Sequence, residues 1–122
     1  MEARRKILIV DDETEAAEML ASFLEFRGFD TELAENGLEA VSLCEAERFD
    51  LVLTDMRMPG MDGRALITYL HETQPQIPIV VMTGHDGLFG PGGASLPGVG
   101  AALMKPLDVR KVASTIDELL PQ

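Results

Sequence analysis

Apolar positions along the chain fall into short unbroken runs separated by longer stripes at helical spacing. Lys6-Ile7-Leu8-Ile9-Val10 is the first run and reads as a buried strand that stops on Asp11-Asp12-Glu13. Thr14 can cap a helix, along one face of which Ala16, Leu20, Phe23 and Leu24 recur, with Gly28 as a stop signal. Thr31-Glu32-Leu33-Ala34 alternates, as a half-exposed edge strand does. Asn36-Gly37 is expected as a turn, and Leu38 to Glu47, with Leu38, Val41 and Cys44, as a second helix. Leu51-Val52-Leu53-Thr54 is again strand-like and breaks on Asp55, after which Pro59, Gly60 and Gly63 end regular structure.

Leu66, Ile67 and Leu70 form a third stripe ending before Pro75, with Tyr69 expected to pack and His71 to lie on the surface. Ile79-Val80-Val81-Met82-Thr83 is a fourth strand, and Ala101-Ala102-Leu103-Met104 a fifth that ends on Lys105-Pro106. The final helix is the clearest: Val109, Val112, Ala113, Ile116, Leu119 and Leu120, with Asp108 as cap. Strands alternating with helices over short connections predict an α/β fold, a parallel sheet covered on both faces. One stretch breaks the rhythm. Residues 86–100 hold six glycines and two prolines, which a helix of ordinary length does not tolerate. We expect a loop with at most one helical turn, either mobile or acting as a partner-binding lid. No GxxxxGK[ST] phosphate loop is present in the sequence.

Composition narrows the function. A chain of 122 residues fits one domain with a true core, spanning 1–122. No stretch of 18 apolar residues or cationic leader is seen, and the lone Cys44 reads as a packing residue, so a cytoplasmic setting is expected. A net charge of −11 argues against gripping nucleic acid or an anionic membrane, and fits binding of a cation or a protein partner.

Taken alone, Asp55 reads equally well as the opener of a turn. In a parallel sheet, however, Asp11, Asp12, Asp55, Thr83 and Lys105 all fall at strand C-terminal ends, where ligands bind. Crowded carboxylates repel, and a hard divalent cation with oxygen ligands relieves that, Mg²⁺ or Mn²⁺ being the natural choice. A metal and an ammonium flanking one carboxylate, with a hydroxyl nearby, suit the three oxygens of a phosphoryl group. Asp55 is then the candidate nucleophile and Asp12 a metal ligand, with Asp11 acting through water; Thr83 and Lys105 would contact phosphoryl oxygens.

At these residues the chain resembles the receiver domain of a two-component response regulator. The matching motifs are Asp11-Asp12, Asp55 with the following MRMPGMDG, Thr83-Gly84 and Lys105-Pro106, and the likeness covers nearly the whole chain. It implies a doubly wound, flavodoxin-like sheet of order 2-1-3-4-5. It also implies that Asp55 takes a phosphoryl group from a histidine kinase or phosphotransfer protein. Mg²⁺ would be held by Asp12, Asp55 and the backbone carbonyl of Arg57, and the Lys105–Pro106 peptide would be cis. On this reading the protein is a phosphoacceptor that assists its own phosphorylation and dephosphorylation rather than an enzyme. Arg57 and His85 take the two positions that tune phosphoryl lifetime in the family.

Two departures stand out. The family's rotating aromatic, three residues before the lysine, is Ala102 here, and the helix between the fourth and fifth strands falls in the Gly/Pro-rich stretch and is short or replaced by a loop. Switching through ordering of 86–100 is the expected substitute. Two other functions compete: a degenerate receiver used only for protein binding or dimerisation, and a Mg²⁺-dependent phosphatase, which would want an acid where Arg57 stands. The kinase, the output domain or target, and the choice between monomer and homodimer stay open. Leu120-Pro121-Gln122 stops where a linker would begin, which favours a receiver cut from a larger regulator.

Overall fold

The computed structural model describes residues 4–56, 63–84 and 98–120. Five parallel strands, β1 (Lys6–Val10), β2 (Asp30–Ala34), β3 (Leu51–Asp55), β4 (Ile79–Thr83) and β5 (Val99–Met104), lie in the order β2-β1-β3-β4-β5. The helices are α1 (Thr14–Phe26), α2 (Gly37–Ala46), α3 (Gly63–Thr73) and α4 (Val109–Leu119). The expected doubly wound sheet is therefore the observed one. The stretch expected to lack an ordinary helix lies mostly outside the described residues. Its last two residues, Val99 and Gly100, belong to β5 instead.

The two apolar faces follow from strand geometry, because successive side chains point to opposite sides. Leu8, Val10, Val52, Ile79 and Val81 pack with Cys44 of α2 and Leu66 and Leu70 of α3. Ile7, Ile9, Leu51, Leu53, Val80 and Met82 pack on the other side with Leu20 and Leu24 of α1 and Val112 and Ile116 of α4. With both faces covered, β1 and β3 must be apolar at nearly every position.

Local departures from the pattern have local causes. The buried face of α1 is Ala17, Leu20, Ala21 and Leu24, so Ala16 is exposed and Phe23 only half-buried. Thr14 does not cap α1; Glu13 takes that position without a side-chain cap. Asn36 opens α2 rather than a free turn, since its side chain accepts the Glu39 N–H at 2.8 Å. Leu38 and Val109 sit in first turns and stay exposed. Gly28 has φ +102° at the end of α1, as a helix stop requires. Arg4 closes that helix end by donating to the carbonyls of Glu25, Gly28 and Phe29.

β5 pairs with β4 through an irregularity: Ile79 faces Val99, but Val80 faces Ala101, so Gly100 is the extra residue. A Cβ there would lie 3.1 Å from Leu119 Cδ2. Close approach of α4 is thus why a strand interior holds glycine.

Candidate functional site

The strand ends carry the polar residues. Asp11 follows β1, held by its N–H to the Ala34 carbonyl at 3.0 Å, and Asp55 ends β3. Lys105 follows β5, with its N–H on the Thr83 carbonyl at 2.8 Å. Thr83 ends β4, one residue past Met82, which is the register partner of Asp55. Two strand ends and the residues just after two others therefore meet at one edge of the sheet.

Asp11 and Asp55 are only 5% and 6% exposed, whereas Asp12 is open to solvent. Two buried carboxylates side by side need a compensating cation. Lys105 Nζ supplies it, at 2.7 Å from Asp55 Oδ2 and 3.4 Å from Asp11 Oδ2. Burial pushes the Asp11 carboxyl up, opposed by the Glu13 N–H bonded to its Oδ1 at 2.9 Å and by Lys105. Burial works against the Lys105 ammonium, but its bond to Asp55 and the charge of Asp11 more than offset that, and its pKa is raised.

Asp11, Asp12 and Asp55 each place a carboxylate oxygen within 4.8 Å of the others. This all-oxygen, anionic donor set fits a hard divalent cation such as Mg²⁺ or Mn²⁺, not a soft metal. Arg57, expected to add its carbonyl, and His85 lie outside the described residues. Thr83 is half-buried and donates its hydroxyl to the Gly84 carbonyl at 3.2 Å. The Lys105–Pro106 peptide is cis, as the resemblance implies. Ala102 lies exposed on β5, opposite Val81.

Glu13 was not singled out by its pattern, yet its carboxylate lies 3.5 Å from Lys105 Nζ. Its adjacency to the acidic pair was the available signal. An open groove of about 430 Å³ adjoins the cluster, with Asp11 and Lys105 at one end and Leu20, Phe23 and Leu107 along its wall.

The chain is 33% identical to the transcriptional regulatory protein GlrR of Escherichia coli over 95% of its length, covering 26% of that protein. It is 37% identical to the response regulator protein PilR of Pseudomonas aeruginosa over 93% of its length, again covering 26% of that protein. The chain thus spans about a quarter of the length of these curated relatives. A CheY-like response regulator receiver domain protein from Methanospirillum hungatei superposes with a TM-score of 0.88 at 32% identity, over 95% of this chain and 93% of that one. Residues 7–117 match the response regulator receiver domain. The chain belongs to the receiver domain family of the response regulators, the proteins of two-component signal transduction.

Proposed function

We propose that Asp55 is the phosphoacceptor of this receiver, taking a phosphoryl group from a phosphohistidine of a histidine kinase or phosphotransfer protein. The single observation that carries this is Lys105 Nζ, 2.7 Å from Asp55 Oδ2 and 3.4 Å from Asp11 Oδ2, within a cluster that Asp12 completes. A carboxylate so paired is held in a fixed orientation, which in-line attack on phosphorus requires. As the new O–P bond forms, the P–N bond breaks and its electron pair returns to the imidazole. Lys105 then follows the charge from the carboxylate onto a phosphoryl oxygen, and the Thr83 hydroxyl turns from the Gly84 carbonyl to donate to another.

Asp12 and Asp55, with Asp11 through water and the Arg57 carbonyl, would hold Mg²⁺ or Mn²⁺. Such an ion neutralises charge on the phosphoryl oxygens. On this reading the chain is a switch that assists its own phosphorylation, not an enzyme acting on a separate substrate. Arg57 and His85 set the phosphoryl lifetime, and Ala102 leaves no aromatic rotor at its position on β5. Among the described residues no helix is long and apolar enough to cross a membrane, and we place the protein in the cytoplasm. Its net charge of −11 leaves any DNA contact to another domain.

Incubation with acetyl phosphate and Mg²⁺, followed by a gel that retards phosphoproteins, tests the proposal. Stable modification lost in Asp55→Asn supports it. No modification supports a binding module without phosphorylation, and rapid turnover of acetyl phosphate supports a phosphatase.

A further inference from the structure

At the end of the sheet opposite the carboxylates, a notch of about 510 Å³ opens among four chain segments. Arg5 enters from ahead of β1, Arg48 from the α2–β3 connection, Ile77 and Pro78 from ahead of β4, and Leu119 and Leu120 from the end of α4. Ile77 and Leu120 are buried, so they form a fixed apolar floor. The volume falls within the range of small-ligand sites.

The cations lining this notch are unlike the others near it. Arg4 pairs with Asp30, Lys6 with Glu47, and Arg27 with Asp117. Neither the Arg5 nor the Arg48 guanidinium has a hydrogen-bond or ion-pair partner among the described residues, in a chain with 21 acids to 10 basic residues. The one acid lining the notch, Asp50, turns its Oδ2 to the Lys6 N–H at 2.8 Å. Two unpaired guanidinium groups beside an apolar floor match an oxyanion attached to an apolar, planar body.

We propose that this notch binds an organic phosphate of mononucleotide size, with the phosphate on Arg5 and Arg48 and the body against Ile77, Pro78 and Leu119. The site stands apart from the Asp55 cluster and does not depend on its chemistry.

Calorimetric titration and amide NMR in Mg²⁺-free buffer test it, with AMP, adenosine and inorganic phosphate as probes. AMP is expected to bind at least about tenfold more tightly than either fragment, shifting amides at 48–50, 76–77 and 119–120. Arg48→Gln, an exposed loop change, and Arg5→Gln should each weaken AMP by about tenfold or more, with labelling of Asp55 by acetyl phosphate unchanged. Absence of amide shifts up to about 10 mM AMP overturns the proposal, as does equal binding by the Arg48→Gln variant. Equal affinity for inorganic phosphate, or shifts confined to the neighbours of Asp55, overturns it as well.

Discussion

Lys105 Nζ and Asp55 Oδ2 are 2.7 Å apart although their strands, β5 and β3, are not neighbours, β4 lying between them. The long lysine side chain crosses the end of β4 and also reaches Asp11 at 3.4 Å. Lys105→Met should lower the rate of labelling by acetyl phosphate by roughly 10²-fold, the usual loss for one charge-stabilising donor. Lys105→Arg should not restore it, because a planar fork cannot replace a compact ammonium between two buried carboxylates. A gel-retardation time course checks both, and an unchanged rate in Lys105→Met would refute the assigned role.

Mg²⁺ should stabilise the fold through the same cluster. A ligand at a hundred times its Kd adds about 2.7 kcal/mol, enough to raise Tm by several degrees in a chain of this size. Sodium chloride at matched ionic strength should add much less. Asp12 is exposed, so Asp12→Ala should leave the metal-free melt nearly unchanged while abolishing most of the Mg²⁺ shift. Thermal melts with and without the cation decide this.

Cys44 is buried against α3 and its thiol is pushed up to about 11 by burial, from an ordinary 9.0. At about pH 8 it should resist a thiol reagent in the native chain and react at once in urea. The sign for stability follows from proton binding. Above about pH 9 the unfolded chain loses the thiol proton that the folded chain keeps, so stability falls as pH rises toward 11. The raised Lys105 ammonium acts in the same direction, its contribution full below 10.5 and lost above it. Urea midpoints at about pH 8 and pH 10 should show the decline.

The two helix starts of unequal quality should respond unequally. Asn36→Ala removes a cap at 2.8 Å from the Glu39 N–H and should cost about 1 kcal/mol. Glu13 holds the corresponding position of α1 with no side-chain cap, so Glu13→Ala should stay within about 0.5 kcal/mol. Urea denaturation of both variants, giving equal losses, would contradict the assignment.

Much of the architecture was legible because its cause is local. Runs such as Ile7–Val10 and Ile79–Met82 are apolar at successive positions because helices cover both faces, and that composition shows without coordinates. Asp108 was read as a cap and is one, accepting the Arg110 N–H at 2.9 Å. The site was legible by position: acids, a hydroxyl and an amine each ended a strand run, and parallel connection sends all strand ends to one edge. Less was legible at helix surfaces. Ala16 and Ala17 are chemically alike, and which one turns inward depends on how α1 rests on the sheet.

The order of residues along the chain determined which side chains would stand at the ligand edge, since in a parallel sheet each strand's polar terminus lies on the same side. Only the folded arrangement decided that Lys105 pairs with Asp55 and Asp11 together, and that Glu13 is drawn in beside it. It alone decided that Gly100 yields its place to Leu119. The reason is the range of the forces: hydrophobic pattern and dihedral preference act over a few residues and are written in order, whereas a 2.7 Å ion pair depends on how strands far apart in sequence are stacked.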